Sequence, residues 1–448
     1  MKTGFSKLCI TPPHGVAMCG YYETRAVKGV LDDLYATAVA FDDGNERALI
    51  LAVDVCLLTT AQANKIKSLV SERTGIDANA IFMNCSHTHT GPVIEADFSG
   101  AKGDPAYDAF FYDKLAEVSE KALLDMRESK FSINDGTAPN ISFVRRYRMK
   151  NGGVQTNPGV GNDNILHVLG EADDTVRFLK IERESAETIV IVNFGTHADT
   201  VGGELISGDW TNFVNKTIED VFENTYSVFL TGAQGDVNHI NPFPSEGDRK
   251  GLDYNTFDGV PRGYEHAKHM GRKVAAAVIA GFDKTRDIAA DKIAFAVKTV
   301  TIPSNRENDR LDEARHIVKL HTEGRDNELP FDKMELTTAV AEAKRIIKLE
   351  NGPESFDFSV TVLKLGDFVL AGLPGECFVE IGKRIKAGFG SDSLVVCCLT
   401  NGGDGYFPTS SAHDEGGYEA KSSPLKKGGD NILVENTLSL LGEVCTKA

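Results

Sequence analysis

Two histidines spaced two residues apart are the first feature of this sequence that could do chemistry. The stretch NCSHTHTGP (84–92) places His87 and His89 directly after the apolar residues AIFM. Imidazole nitrogens bind zinc and transfer protons near neutral pH. In extended backbone, residues i and i+2 point to the same side, so both rings could face one cavity. An isolated pair of this kind is more often a polar turn than a metal site, so the pair alone establishes neither.

Several other apolar segments also end in polar residues. The strand-like runs lead into NFGTHADT, TGAQGDVNH, LPGE and TNGGDGY. Polar groups at strand ends meet in the crevice of an α/β sheet. The metal-ligand and proton-transfer candidates at these ends are His87, His89, His197, Asp236, His239, Glu376 and Tyr406. Because a catalytic zinc takes about three protein ligands and keeps one open position, the set predicts a polar site that could hold zinc.

Most of these residues also have an ordinary structural interpretation. His197 could be a hydrogen-bonded histidine at a strand end, and His239 a surface loop residue. Glu376 could complement the positive end of a helix over 376–388. Tyr406 could pack its ring in a loop. The residue pattern by itself leaves these alternatives open.

The chain is acidic and carries no targeting or membrane segment that the sequence reveals. Its 448 residues include 48 Lys+Arg against 65 Asp+Glu, a formal charge of −17, which disfavours nucleic acid and anionic membranes as partners. No stretch approaches the roughly 20 apolar residues that span a bilayer. The eight cysteines contain no CxxC pair, and the N-terminus has no signal-like apolar run. We therefore predict a cytoplasmic protein that acts on a small-molecule substrate; the oligomeric state is not indicated.

Strand-like and helical runs alternate along the chain. ALILAVDVCLL (48–58) is typical of a buried strand, whereas 61–75 and 107–126 have helical spacing. This alternation predicts an α/β (α+β) fold with mixed β-sheets flanked by helices. The charged segment 303–354 predicts a helical insertion within one catalytic domain that spans 1–448.

Five motifs in a matching order resemble the catalytic domain of the neutral/alkaline (non-lysosomal) ceramidase family. They are NCSHTHTGP, NFGTHADT, TGAQGDVN, LPGE and GYFPTSSAHDEGGYE. The resemblance begins near GFSKLCITPPHGVAMCGYY and covers essentially the whole chain. It implies the catalytic-domain fold of that family, without the C-terminal immunoglobulin-like domain of its long members.

The resemblance also implies a zinc cofactor and roles for individual residues. The residues that match the family's zinc ligands are His87, His197, Glu376 and Tyr406. His89 would be a hydrogen-bonding partner beside the metal. The spacing from Tyr406 to Tyr418 matches the family as well, and we expect Tyr418 to bind substrate.

One position departs from the family pattern. The family's GDVS segment supplies a serine, the proposed nucleophile, whereas this chain reads GDVN with Asn238. Asparagine cannot deliver an alkoxide, but it can orient a water molecule or donate to an oxyanion. We therefore expect metal-activated water to attack, with His89, Asp236 or His239 handling protons. Neighbours in extended backbone point to opposite sides, which counts against His239.

A basic segment could contribute to substrate binding. FVRRYRMKNGGVQTNPG (143–159) contains Arg145 and Arg146. A solvated basic hairpin with a turn at Asn151–Gly152 is one interpretation. In the other, Arg145 or Arg146 clamps an anion at the mouth of the pocket.

Three functions are compatible with these observations. The leading hypothesis is a zinc-dependent hydrolase of the neutral ceramidase superfamily that cleaves an amide (N-acyl) bond. A metal-dependent enzyme for a small polar or carbohydrate-like substrate is an alternative, favoured by the missing serine and the arginine pair. The third is a non-catalytic ligand-binding homologue. Turnover of an amide, ester and glycoside panel separates them.

Overall fold

Strands and helices alternate along the chain in a computed structural model that describes residues 1–97, 100–246, 263–306, 309–331, 333–403 and 405–446. The strands are β1 (Lys2–Cys9), β2 (Ala17–Met18), β3 (Arg25–Ala26), β4 (Gly29–Val30), β5 (Tyr35–Asp42), β6 (Arg47–Val53), β7 (Ile81–Cys85), β8 (Arg127–Thr137), β9 (Phe143–Val144), β10 (Arg146–Met149), β11 (Val154–Thr156), β12 (Ile165–Val168), β13 (Thr175–Arg183), β14 (Thr188–Phe194), β15 (Leu205–Ile206), β16 (Thr225–Thr231), β17 (Val237–Asn238), β18 (Arg286–Ile288), β19 (Ile293–Pro303), β20 (Ser355–Leu365), β21 (Phe368–Gly372), β22 (Glu376–Cys377), β23 (Leu394–Cys397) and β24 (Tyr406–Phe407). The α-helices are α1 (Thr60–Thr74), α2 (Pro105–Leu124), α3 (Asp209–Val221), α4 (Tyr264–Gly281), α5 (Leu311–Thr322), α6 (Lys333–Leu349), α7 (Val379–Phe389), α8 (Ser410–Glu415), α9 (Tyr418–Ser422) and α10 (Gly429–Thr446).

Helix α1 shows how local sequence sets an element. Thr59 lies just before the helix, and its hydroxyl accepts a hydrogen bond from the backbone N–H of Gln62 at 3.3 Å. The Gln62 side chain accepts in turn from the backbone N–H of Thr59 at 2.8 Å, which completes a capping box. Gly75 ends the helix with a φ of 73°, a conformation that favours glycine. The predicted helix 61–75 therefore matches the observed one to within a residue.

Nine strands among the described residues form one mixed sheet. Their order is β16-β14-β13-β8-β1-β5-β6-β7, and β18 pairs with β8. Most neighbours are antiparallel, but β6–β7 and β14–β16 are parallel pairs near the two ends of the order. Parallel strands are covered on both faces, which explains why β7 is buried along its whole length. The predicted mixed α/β architecture is confirmed.

Buried polar contacts bring the two ends of this sheet together. The side-chain oxygen of Asn84, in β7, accepts a hydrogen bond from the backbone N–H of Thr231, in β16, at 2.7 Å. The Thr231 hydroxyl donates to the carbonyl of Cys85 at 2.8 Å. Segments that follow β7 and β14 thereby reach the same place, although these strands are distant in the sheet order.

A second sheet, with the order β19-β20-β21-β23, joins the first at this point. Strands β21 and β23 are parallel. Beyond β23, the backbone N–H of Cys398 donates to the carbonyl of Thr231 at 3.1 Å, and Leu399 accepts from Cys85 at 3.2 Å. The C-terminal ends of β7, β14, β16, β21 and β23 therefore meet, as expected for ligand sites in α/β sheets.

The charged segment 303–354 contains α5 and α6, and its being an insertion stays a prediction. Ile317 and Leu320 of α5 pack against Val340 and Ile346 of α6. Helix α6 also lies against α9, where the Arg345 side chain donates to the carbonyl of Lys421 at 2.8 Å. The insertion therefore borders the segment that carries Tyr418. In the part of the chain that the structure describes, every helix is too short or too polar to span a membrane.

Candidate metal centre and active site

Side chains from three strand ends converge in the interior. Nε2 of His197 lies 3.0 Å from Oε2 of Glu376, and Nε2 of His87 lies 3.3 Å from the same oxygen. The three donor atoms all lie within 4.8 Å of one another, and the three residues are buried. We call His87, His197 and Glu376 the donor cluster. It unites three of the four residues predicted as zinc ligands.

Backbone carbonyls orient both histidine rings of the donor cluster. Nδ1 of His87 lies 2.8 Å from the carbonyl oxygen of Cys56. Nδ1 of His197 lies 2.9 Å from that of Gln234 and 3.0 Å from that of Val237. Because a carbonyl can only accept, each Nδ1 carries a hydrogen, and Nε2 is the ring nitrogen that each histidine presents to the cluster.

The chemistry of these donors fits a divalent cation. Nε2 of His197 and Oε2 of Glu376 are buried, and neither has a hydrogen-bond partner among the described residues. Unsatisfied buried polar atoms are rare in proteins. Burial alone would raise the pKa of Glu376, but His87 and His197 hold it well below its usual range, so the carboxylate is ionised. Two imidazoles and one carboxylate form a common zinc-ligand set.

A second possible donor group, Cys56 with His87 and His89, shares His87 with the donor cluster. The Cys56 sulfur lies 3.8 Å from Nδ1 of His87, but that nitrogen donates to the Cys56 carbonyl. A hydrogen bond with Cys19, together with burial, raises the pKa of the Cys56 thiol well above its usual value. A protonated thiol is a poor metal ligand, so this group fits a cation less well.

The backbone at His87 differs from the sequence-based expectation. Its φ is +68°, in the left-handed region, so His87 and His89 do not lie in extended backbone. Extended backbone was the reason for expecting both rings on one side, and that reason was wrong. The rings nevertheless meet, because Nε2 of His89 lies 3.3 Å from Nε2 of His87. His89 is half-buried at the edge of the donor cluster.

Tyr406 approaches the donor cluster from β24. This strand pairs in parallel with β22, and Tyr406 is opposite Glu376. The Tyr406 ring stacks 6.4 Å from that of His197, and its hydroxyl accepts a hydrogen bond from Arg145 at 3.0 Å. Burial and the Glu376 charge raise the pKa of Tyr406 well above its usual value, so the phenol is neutral. Its place beside the donors is compatible with the predicted fourth ligand.

Arg145 and Arg146 are buried, which corrects both interpretations of the basic segment. The hairpin itself exists, since β10 and β11 pair around the turn. Nε of Arg145 donates to Glu419 at 2.6 Å, and Nη2 of Arg146 donates to Glu415 at 3.1 Å. A buried guanidinium requires a counterion, and these carboxylates supply it. The two arginines therefore do not stand at an open pocket mouth, because their charges are already neutralised inside the protein.

Tyr418 lines the same edge of the site as Tyr406. The two rings lie 5.5 Å apart, edge to face. The Tyr418 hydroxyl is 3.0 Å from the hydroxyl of Tyr22. A substrate-binding role for Tyr418 stays a prediction, and Tyr22 is a residue that sequence reasoning missed.

Asn238 and Asp236 have partners outside the donor cluster. The Asn238 amide donates to Asn157 at 3.1 Å, and its oxygen accepts from the backbone N–H of Ile240 at 3.0 Å. Oδ1 of Asp236 accepts from the N–H of Val379, at the start of α7, at 2.8 Å. Burial raises the pKa of Asp236 to about 6. These bonds hold a turn and a helix start, and the predicted catalytic roles remain predictions.

His239 is buried rather than in a surface loop. Its Nδ1 lies 3.2 Å from Oδ1 of Asp199, and its ring lies 5.7 Å from that of His266. Asp199 follows His197 by two residues in HADT. Asp199, an acid two residues after the predicted ligand His197, was the signal in the sequence for a partner of His239, and sequence reasoning missed it.

Comparisons with known proteins agree with the fold but leave the sequence distant. No protein-family model matches the sequence, and no curated protein matches it. The solved neutral ceramidase from Pseudomonas aeruginosa superposes with a TM-score of 0.75 at 15% identity, over 100% of this chain and 74% of that one. A ceramidase complexed with C2 gives a TM-score of 0.73 at 14% identity, over 100% and 75% of the two chains. The chain therefore has the neutral ceramidase fold, as the five motifs predicted.

Proposed function

We propose that this protein is a metal-dependent hydrolase that cleaves an amide (N-acyl) bond. The observation that carries the proposal is the donor cluster: two imidazoles with fixed tautomers and an ionised carboxylate, at the strand ends of a neutral ceramidase fold. The two similar structures are ceramidases by name, and ceramide is an N-acyl compound. These names support the proposed reaction class and leave the substrate open.

The proposal assigns the metal to His87, His197 and Glu376, with Tyr406 at the edge. A zinc ion there would polarise a carbonyl group and lower the pKa of a water molecule towards 7. His89 would move the proton between water and the leaving amine. Its Nδ1 has no hydrogen-bond partner among the described residues, and the residue is half-buried at the cluster edge. That nitrogen is therefore a candidate for holding or releasing a proton.

Two further residues would orient the reacting groups. Arg145 donates to the Tyr406 hydroxyl and to the carbonyl of Gly235, which fixes the phenol beside the donor cluster. Asn238, in the position of the family's serine, holds the following turn through Ile240. Because metal-activated water is the proposed attacking group, the reaction needs no side-chain nucleophile.

Metal analysis of purified protein tests the proposal. We expect about one zinc per chain. His87→Ala and Glu376→Ala should each lose the zinc and lower hydrolysis of a panel of N-acyl amides by at least about 10³-fold. His321→Ala and Glu380→Ala, which change a histidine and a glutamate outside the cluster, should retain both properties. A folded, metal-free protein with full activity would contradict the proposal.

The same panel addresses the two alternatives. Esters, glycosides and small polar amides are included beside the N-acyl lipids. Preferential turnover of a carbohydrate-like compound would favour the second hypothesis. Turnover of any member would reject a non-catalytic binding protein.

A further inference from the structure

Two cationic side chains lie over adjacent tyrosines at the edge of the site. Cζ of Arg25 lies 4.1 Å from the centre of the Tyr21 ring. Nζ of Lys344, on the inserted helix α6, lies 5.2 Å from the centre of the Tyr22 ring. We call these four residues the cationic rim. Cation–π contacts of this kind hold a positive charge beside a ring face without neutralising it.

The cationic rim is linked to the donor cluster through His89 on one side and through Tyr418 and Tyr406 on the other. The Tyr21 ring lies 5.4 Å from that of His89, and Arg25 donates to the His89 carbonyl at 2.7 Å. On the other side, the Tyr22 hydroxyl lies 3.0 Å from that of Tyr418, whose ring contacts Tyr406. The two cations of the rim therefore lie on the side of the site formed by His89, Tyr418 and Tyr406.

Neither cation forms an ion pair within the described parts of the chain. The carboxylate two residues before Lys344, Glu342, pairs instead with Arg310 and Lys421. Lys344 is half-buried, and burial lowers its pKa. A half-buried ammonium without a counterion is unfavourable unless a ligand provides one.

The two cations differ in how many donors they leave available. The guanidinium of Arg25 donates to the carbonyls of Gly203, Cys19 and His89, so it holds the turn and contributes charge. The Lys344 side chain makes no hydrogen bond with any described residue. Its ammonium group can therefore give its N–H donors to a ligand.

We propose that the substrate carries an anionic oxygen group, such as a carboxylate, and that Lys344 binds it at the cationic rim. Arg25 adds to the positive potential. This inference rests on the proposed hydrolase function and names the class of substrate for that site. It assigns the specificity-determining residue to the inserted lobe rather than to the buried Arg145 and Arg146.

Matched substrates that differ only in charge test the inference by turnover. N-hexanoylglycine is compared with N-hexanoylglycinamide, and N-phenylglutaramic acid with N-phenylglutaramide, so that the carboxylate lies on either side of the amide. In Lys344→Gln, KM should rise about tenfold for the charged member of at least one pair relative to its neutral partner. Lys344→Glu should reverse the preference. Lys348→Gln, one turn along α6 at an exposed position, should change neither.

Calorimetric titration with glutarate and with neutral glutaramide provides a readout that needs no turnover. Glutarate should bind at least about tenfold more tightly than glutaramide, and Lys344→Gln but not Lys348→Gln should remove the difference. Glutarate bound to the metal alone would be insensitive to Lys344, and that result would overturn the inference. Hydrolysis with no charge preference would also overturn it and leave the hydrolase proposal standing. Lys344-dependent binding of glutarate without hydrolysis of any amide would contradict the hydrolase proposal and leave the anion-binding role of Lys344 standing.

Discussion

The donor cluster and the cationic rim lie side by side but are built in opposite ways. The donor cluster sits on strand ends, is buried, and has its imidazoles oriented by backbone carbonyls. The cationic rim comes from a turn and an inserted helix, is partly exposed, and carries unpaired charge. In the proposed function, the reactive groups therefore lie at the ends of paired strands, whereas the residues that recognise the substrate lie on segments that can change without moving the reactive groups.

The two regions are joined through a buried ion pair. Arg145 contacts Tyr406 beside the donor cluster, and its counterion Glu419 lies in α9, next to Tyr418. Substitutions that act on the cluster, the rim or this junction should therefore have distinguishable effects.

Breaking the junction should have the largest effect on stability. Glu419→Gln leaves the Arg145 guanidinium buried without a counterion, and we expect a loss of about 3–5 kcal/mol in the free energy of unfolding. Urea denaturation measures it. Glu415→Gln is the matched control, because Arg146 keeps Glu419 at 3.9 Å and Glu415 is partly exposed, so the loss should be smaller, about 1 kcal/mol. Equal losses in the two variants would show that the junction has no special role.

A side chain added at Gly20, next to the cationic rim, should have the next largest effect on stability. Gly20 has a φ of +113°, and a Cβ there would lie 2.7 Å from Cα and Cβ of His89. Gly20→Ala should lower stability by about 1–3 kcal/mol and reduce activity while zinc content is retained. Gly15→Ala, with a φ of +91° and nothing within 4 Å of the new Cβ, isolates the backbone strain. Comparable loss of activity in both variants would contradict the proposed contact.

The support behind the donor cluster should make stability depend on pH. The Trp210 indole donates to the His197 carbonyl at 3.0 Å, and Asp209 accepts from the backbone N–H of Trp210 at 2.6 Å. Burial raises the pKa of Asp209 to about 7. A raised carboxyl pKa means that the folded state holds the proton more tightly. The resulting stability is complete below about pH 4 and is lost as the pH rises through 7.

Asp209→Asn removes this titration. Between pH 5 and 8, the wild type should lose on the order of 1–3 kcal/mol relative to the variant, measured by urea denaturation at each pH. The difference between the two proteins isolates Asp209 from other titrating groups. Parallel stability curves would show that Asp209 is already ionised at pH 5.

A change confined to the rim should have the smallest effect. Tyr22→Phe removes one hydroxyl next to Tyr418 and keeps the ring beneath Lys344, so stability should fall by about 0.5–1.5 kcal/mol. Zinc content should not change, and the KM for a charged substrate should rise less than in Lys344→Gln. Loss of zinc in this variant would mean that rim and cluster are not independent.

Sequence reasoning was most successful where a local rule applies. Helix α1 follows from its cap and its terminal glycine, and strand β7 from its apolar run. Sequence reasoning failed where the surroundings of a residue depend on partners far away in the chain. Arg145 and Arg146 are charged residues in a turn-rich segment, and only the fold brings Glu415 and Glu419 to them. The left-handed backbone at His87 is likewise invisible to an alternation rule.

By itself, the sequence determined the ligand types, their places at strand ends and the mixed α/β class, because side-chain chemistry and hydrophobic periodicity are local properties. Only the tertiary structure decided that β7 and β14 end at one point and that both imidazoles carry hydrogen on Nδ1. It also decided which cations are neutralised and which, like Lys344, are not. Those outcomes depend on contacts between residues far apart in the chain, whose distances and burial no local pattern encodes.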